Sequence, residues 1–582
     1  MAGSPSGPWY ATIGAVGRRR ANDEPADRSS RGRGRRFGGR GWRAIARGLV
    51  VVVAVGGLGA CGPARELGAR PPARPRPASE ATSDQDRDEP SAEEQRADAP
   101  IRAHTPWDRA LLGVWKAANV IPAPRADAAT WLRRASLVVA GRVPTPKELR
   151  AFVARDGDDA RDAAVARLLA DPGFARRWGR VYAGWFVRPT HLRRPAFRQN
   201  VEPYYQGATA RPYDEVAREL LTARGAVSEV PAATFLASQR PGRTQEELAA
   251  ITLDLFVAKD AYYCAQCHDH PEDPEIRQED LWGVAAYFAR TRVPRRQVPG
   301  RPNVLEVRDW HTGELRRPEA PKEARRVIPP RYLDGRTWLA SADGSRREAL
   351  AEAILADPDF ARAFVVRVWS EVFGDRPDPR LEPVVASLAA YVRDGGYDLR
   401  SLVRALVLSE AFARAAGGAR DGDVPAEHLL ARFPLRPLPA DVRLDVLLQV
   451  TSAEPTVPHF VPLAERARRV EGARRRYRHV FDGAGGDGVA GTIPMRLSEL
   501  HDPIAFRATR FRPGSRLHVI AAAHPDPERR LEALYLWAFS RPPSPEEKRR
   551  LLPTLAEADH PRRAWEDLFH AMVLSAEFST LH

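Results

Sequence analysis

Helix-start signals recur along this sequence and constrain its fold more than any other feature. In a capping box, a Ser or Thr side chain and a Glu three residues later satisfy the free backbone N–H groups at the start of a helix. We predict three such pairs, namely Thr145 with Glu148, Thr244 with Glu247 and Ser544 with Glu547. Proline directly follows the first and third of these caps, at a position that helices favour. The sequence therefore predicts a mainly α-helical protein made of irregular multi-helix domains.

Several segments of the chain resemble one another. The matched pairs are 141–149 with 540–548, 168–176 with 354–362, and 402–412 with 568–578. Their similar order predicts the duplication of a helical unit. The spacing between them is too irregular for an open solenoid.

One region departs from the helical pattern. Residues 296–333 are rich in Pro and Arg, and Val304 to Arg308 alternate between apolar and polar side chains, as a half-buried strand does. A turn at 311–314 and a short strand at 315–316 follow. We therefore expect a small β-hairpin insertion within a connection at 296–335, between helical domains at 105–295 and 336–582.

The N-terminal part predicts export and anchoring. The apolar run 48–60 is too short for a permanent membrane span and follows several arginines, as in a signal peptide. It ends in Leu58-Gly59-Ala60-Cys61, which resembles a bacterial lipoprotein signal. This resemblance implies cleavage before Cys61 and lipid attachment to its thiol, whereas a plain signal peptide or a signal anchor is the alternative. We expect a signal region at 1–60 and a membrane-anchored protein in the bacterial cell envelope.

Residues 61–104 are rich in Pro, Ser and charged side chains and have few large apolar ones. Such a segment cannot bury a core, so we expect a disordered N-terminal tether.

The net charge of +15 does not indicate a nucleic-acid-binding protein. The first 60 residues hold 11 arginines against 3 acidic residues, so more than half of the net charge lies there. In the remainder, Arg alternates with Asp and Glu, which is typical of a solvated surface. We therefore expect no nucleic-acid partner.

The main candidate site is Cys264, Cys267 and His268, which form the CxxCH pattern of c-type haem attachment. Two thiols can add to the two haem vinyl groups, and the adjacent imidazole can bind the iron. Apolar residues recur at three- and four-residue steps after Thr244. This periodicity predicts a helix that runs into the cysteines and brings the three side chains to one face. The distal ligand candidates are Met495 and His311.

Two other interpretations of this cluster stay open. Zinc could be held by Cys264, Cys267, His268 and His270, which offer soft sulfur and borderline nitrogen ligands. A Cys264–Cys267 disulfide or a reduced dithiol with no cofactor is the third reading, since an exported protein can form disulfides. The acidic residues of the following loop, at 269, 272 and 273, either orient the imidazoles or form a solvated loop.

Long collinear stretches resemble a known pair of domains. Residues 131–153, CAQCHDHP at 264–271 and QEDLWGVAAYF at 278–288 resemble the planctomycete-type cytochrome-like domain known as domain of unknown function 1549. The segments that resemble its usual C-terminal companion, domain 1553, are 329–335, 346–374, 395–412, 429–452 and 534–547. The resemblance implies a mostly helical exported protein with a CxxCH and no established activity. Members are often encoded beside a second exported protein, which implies a protein partner.

The sequence departs from this family pattern in three places. Glu272 and residues 274–276 replace an aromatic-bearing segment after the CxxCH, and Val366 stands where the family usually has Asn. The acidic, proline-rich loop that follows Gly374 in the family is shortened to 375–384. An enzymatic activity that depended on this loop would be lost.

The sequence thus predicts a redox or electron-transfer role for an exported protein with a haem c site. No Ser/His/Asp order, phosphate loop or carboxylate pair indicates a hydrolase, and the sequence does not decide whether the protein is an enzyme. The alternative is a non-enzymatic helical scaffold or interaction protein whose CxxCH loop holds zinc or a disulfide.

Overall fold

The structure is a computed structural model that describes residues 105–155, 157–188, 191, 195–240, 243–296, 304–316, 326–338, 345–416, 427–452, 472, 477 and 503–582. The predicted signal region, the tether, Cys61 and Met495 lie outside these residues. None of the helices in this part of the chain combines the length and apolar character of a membrane span.

The described chain is mostly helical, which confirms the predicted fold class. All three predicted capping boxes form, and Ser345 with Glu348 forms a fourth that the sequence reading missed. The helices of the first half are α1 Pro106–Ala117, α2 Ala128–Ala140, α3 Pro146–Val153, α4 Asp158–Ala170, α5 Pro172–Phe186, α6 Pro195–Ala208, α7 Tyr213–Thr222, α8 Thr234–Gln239, α9 Gln245–Val257 and α10 Gln278–Ala285.

Those of the second half are α11 Arg346–Ala356, α12 Asp359–Phe373, α13 Glu382–Asp394, α14 Leu399–Val407, α15 Glu410–Ala413, α16 Ala440–Thr451, α17 Pro503–Ala508, α18 Arg516–Ala523, α19 Pro527–Ala538, α20 Pro545–Ala556, α21 Pro561–Leu574 and α22 Ala576–Ser579. The described 3-10 helices are Pro231–Ala233, Asp260–Gln266, Ala286–Phe288 and Pro379–Leu381.

The strands are short and antiparallel. They are β1 Gly225–Ala226, β2 Thr291–Arg292, β3 Arg295–Arg296, β4 Val304–Asp309, β5 Leu315–Arg316, β6 Val327–Ile328, β7 Arg436–Pro437 and β8 Thr580–Leu581. The predicted strand after position 303 is confirmed as β4, and its Leu305 and Val307 are buried as the alternation requires.

The expected pairing of β4 with the strand at 315–316 is wrong. β4 pairs with β1, β2 and β3, which precede it in the chain, and β5 pairs with β6 instead. The alternation of side chains identifies a strand but carries no information on which other strand it pairs with.

One continuous cluster of buried apolar side chains extends from Trp107 to Leu581. Trp131, Trp178 and Trp369 lie within it, each at most 3% exposed. Within it, α9 packs against both α10 and α12, so a helix from each half of the chain contacts α9. The boundaries proposed at 295 and 335 stay predictions.

The matched sequence segments share their local structure. In segments 141–149 and 540–548, an arginine just before the capping box binds the glutamate of the box and a second carboxylate. Arg142 donates to Glu148 and Asp171, and Arg541 donates to Glu547 and Glu577, at 2.7–2.9 Å. The other matched segments each contain a break between two helices followed by a buried phenylalanine, namely Phe174, Phe360, Phe412 and Phe578.

A buried arginine joins β4 to the helices. Arg347 of α11 donates to both carboxylate oxygens of Asp309, at 2.9 and 2.8 Å, and to the carbonyls of Leu221 and Ala223 at the end of α7. Its side chain is 1% exposed. Burial would raise the pKa of Asp309, but the hydrogen bonds and charges of Arg347 and Arg224 hold it below its usual value.

We expect Arg347→Met to lower the free energy of unfolding by about 3–5 kcal/mol, because it leaves a half-buried carboxylate without its main partner. The measurement is urea denaturation followed by circular dichroism. Arg380→Met is the matched control, since Arg380 also makes two hydrogen bonds to an aspartate, Asp378, but at the surface. Its midpoint should stay at the wild-type value. Equal losses in both variants would contradict the structural role of the buried pair.

Candidate functional site

The CxxCH segment follows the buried helix α9, and the predicted continuation of that helix into the cysteines is wrong. α9 ends at Val257, and Ala258 adopts a left-handed conformation with φ of 54°. The Ala258 N–H donates to the carbonyl of Asp254, and the Lys259 N–H donates to that of Leu253. The left-handed residue and its bond to Asp254 form an αL helix end, which normally uses glycine. Because alanine rather than glycine stands at this position, the sequence did not indicate the helix end.

Arginines from the second half of the chain hold the end of α9. Arg367 of α12 donates to the carbonyls of Leu255 and Asp254, at 2.8 and 2.9 Å. Arg376 pairs with the carboxylates of Asp254 and Asp260, at 3.1 and 2.7 Å. A cation at a helix C-terminus satisfies free carbonyl groups and the helix dipole. No local sequence pattern indicates these contacts, because the partners lie more than a hundred positions apart.

The two cysteines lie on one face of the 3-10 helix Asp260–Gln266 and its last turn. The Cys267 N–H donates to the Cys264 carbonyl at 3.3 Å, which closes a three-residue turn. Tyr262 and Ala265, also three apart, are the buried face of the same helix. Because a 3-10 helix has three residues per turn, residues at this spacing lie above one another. Cys264 and Cys267 are both exposed free thiols.

The two histidines differ in the use of their Nδ1 atoms. His268 is exposed, and its Nδ1 lies 2.7 Å from the carbonyl oxygen of Asp269. A carbonyl only accepts, so Nδ1 carries the hydrogen and the lone pair is on Nε2. The Nδ1 of His270 accepts from the backbone N–H groups of Glu272 and Asp273, at 3.3 and 3.0 Å. In the neutral ring its Nε2 therefore carries the hydrogen.

The acidic residues near the histidines bind backbone groups. The Asp269 carboxylate accepts from the Gln278 N–H at 2.8 Å, at the start of α10, and the Asp273 carboxylate accepts from the Glu275 N–H at 3.0 Å. Asp269 orients His268 through its backbone carbonyl, which no side-chain pattern in the sequence could indicate. These carboxylates thus fix the loop that carries the histidines.

The other candidate residues lie elsewhere or outside the described residues. His311 is exposed in the turn between β4 and β5, and no described hydrogen bond or ion pair joins it to the CxxCH segment. Met495 and Cys61 are outside the described residues. Within the described ranges, no three His, Cys, Asp or Glu side chains are arranged to hold a metal ion.

Tyr263 adds an aromatic side chain beside the site. It directly precedes Cys264 and is 43% exposed. Partial burial and the charge of Asp254 raise the pKa of its hydroxyl, while Arg243 and Arg367 act in the opposite direction. Both arginines therefore lie close enough to affect this exposed ring.

Two family models match the chain. Residues 106–293 match the family described as protein of unknown function (DUF1549), which is named PSCyt2. Residues 346–481 match the family described as protein of unknown function (DUF1553), which is named PSD1. No curated protein and no solved structure matched the chain. The matches confirm the pair of domains that the sequence resemblance indicated.

We expect Arg367→Gln to loosen the CxxCH segment, because the carbonyls at the end of α9 lose a charged donor. Hydrogen bonds from charged groups contribute about 1.5–3 kcal/mol, so amide exchange of residues 258–267 should rise roughly tenfold or more. Hydrogen–deuterium exchange with mass spectrometry measures this change. Arg362→Gln is the control on the same helix, since Arg362 pairs with Glu382 at the surface. Unchanged exchange in the Arg367 variant would contradict the capping role.

Proposed function

The chain contains a DUF1549 domain followed by a DUF1553 domain, and we propose that it is an exported electron-transfer protein with haem c bound at Cys264, Cys267 and His268. The family name PSCyt2 is compatible with a cytochrome-like protein but assigns no activity. The proposal therefore depends on the geometry of the CxxCH segment.

The observation that carries the proposal is the orientation of His268. Its Nδ1 donates to a backbone carbonyl, so Nε2 offers its lone pair at an exposed position. In proteins, metal-binding histidines usually donate a hydrogen bond from the ring nitrogen that does not bind the metal, and this bond fixes the tautomer. The two thiols lie one 3-10 turn apart on the surface, where a haem can reach both. The residues present fit covalent haem and one axial ligand.

The same geometry favours haem over zinc. A structural zinc site needs four converging donors. His270 already uses its Nδ1 lone pair on two backbone N–H groups, and its Nε2 carries a hydrogen in the neutral form. It stabilises the loop rather than offering a donor atom. Haem attachment needs only the two thiols and His268.

Bound haem c supplies a reversible one-electron change at its iron, with a potential that depends on axial ligands and solvent exposure. This chain contributes a rigid base for that group. Tyr262 and Ala265 anchor the 3-10 helix in the core, and Arg367 fixes the helix before it. The distal ligand stays a prediction between His311 and Met495.

Export supports the haem proposal, because bacterial haem c is attached outside the cytoplasm. We propose that the signal region directs the chain to the cell envelope and that Cys61 carries a lipid anchor. The folded part would then be tethered to the membrane by residues 62–104.

Production of the full chain with a bacterial haem c maturation system should yield covalent haem. We expect the denatured wild type to give a pyridine haemochrome spectrum and a haem-stained band. Cys264→Ala with Cys267→Ala should abolish both signals, and His268→Ala should strongly reduce them.

His270→Ala is the matched control, because its ring bonds only to backbone groups. It should retain the covalent haem. Absence of haem from the wild type would overturn the proposal, and metal analysis with thiol titration would then distinguish zinc from a disulfide. A loss in His270→Ala as large as in His268→Ala would contradict the ligand assignment.

The lipid anchor has a separate test. Cys61→Ala should move the protein from the membrane fraction to the soluble envelope fraction, because the thiol that carries the lipid is gone. Fractionation and labelling with a radioactive fatty acid measure this. A variant that stays membrane-bound would argue for a signal anchor instead.

A further inference from the structure

Three arginines of the first half of the chain have no carboxylate partner among the described residues. Arg240 follows α8, Arg243 precedes the cap of α9, and Arg292 lies in β2. We call these three residues the arginine patch. Within the described part of the chain, their guanidinium groups bond only to backbone carbonyls and to the side-chain amide of Gln239. Arg142 and Arg541 of the same chain, in contrast, each bind two carboxylates.

The members of the patch are neighbours. Arg240 donates to the backbone carbonyl of Arg243, and its buried Nε has no partner. All three side chains are half-buried. Burial and the charge of Arg292 lower the pKa of Arg240, and burial and the charge of Arg188 lower that of Arg243. Like charges that are partly removed from water are unfavourable unless an anion joins them.

The nearest acidic groups do not neutralise the patch. Glu246 and Glu247 act on Arg240 from a distance without an ion pair. Glu247 is engaged by the capping box with Thr244, where its carboxylate accepts from the Thr244 N–H at 2.7 Å. The patch therefore keeps an excess of positive charge.

Two members of the patch are associated with exposed aromatic side chains. The Arg292 guanidinium lies 5.4 Å from the ring centre of Trp310, which is 55% exposed. The charge of Arg243 acts on Tyr263, which is 43% exposed and precedes Cys264. Arg, Trp and Tyr are enriched where proteins bind one another.

We propose that the arginine patch, with Trp310 and Tyr263 beside it, is a docking surface for the acidic face of a protein partner. Three guanidinium charges complement a row of Asp and Glu side chains better than they complement one small anion, which carries less charge. The contacts that define this surface do not involve haem. That the docked partner exchanges electrons with the CxxCH site rests on the proposed function. Charge pairing of this kind sets the rate and orientation of association.

The test uses the full chain, produced without haem maturation, and poly-L-glutamate as the probe. Titration calorimetry at low salt should give binding that disappears near 1 M salt, where the screening length is about 3 Å. We expect Arg240→Gln, Arg243→Gln and Arg292→Gln together to weaken binding about tenfold or more. The triple Lys variant at the same positions should bind within a few-fold of wild type, because it keeps the charge.

The matched control removes the same charge from arginines that already have carboxylate partners. It combines Arg211→Gln, Arg218→Gln and Arg362→Gln. It should bind nearly as well as wild type. Equal losses in the two Gln variants, or an equal loss in the Lys variant, would overturn the proposal. Inorganic phosphate that binds as tightly as poly-L-glutamate would also overturn it, in favour of a small-anion site. Haem attachment plays no part in these outcomes, so they are independent of the haem test.

Discussion

The contact between Arg367 and the end of α9 is the constraint on which the candidate site depends. α9 is buried on nearly all sides and has no basic residue in its last turn, so its final carbonyl groups need an outside donor. α12 supplies that donor from a position 112 residues later. The 3-10 helix that leads into the cysteines starts at Asp260, three residues after the end of α9. The helix that leads into the CxxCH segment is therefore held by a helix from the second half of the chain.

Short-range features of the fold could be predicted from the sequence, because their physical causes are short-range. The capping boxes, the strand at β4 and the CxxCH each depend on residues a few positions apart. The partners of β4 and the donors at the end of α9 could not be predicted, since they depend on residues far along the chain. The end of α9 itself was hidden because Ala258 takes a conformation that usually indicates glycine.

The candidate site illustrates a second limit. His268 and His270 are identical in residue type and two positions apart, and the sequence offered both as ligands. Their difference comes from backbone groups, because one Nδ1 faces a carbonyl and the other faces two N–H groups. Backbone direction within a loop is not encoded by any single side chain. The different hydrogen bonding of the two imidazoles therefore could be seen only in the structure.

The exposure of Cys264 and Cys267 has a consequence for the order of assembly. Both thiols lie outside the hydrophobic core, and their 3-10 helix is anchored by Tyr262 and Ala265 instead. The core can therefore form before anything is attached to the sulfur atoms. The proposed haem attachment would then modify a surface that is already folded, and a chain without haem would keep the same fold.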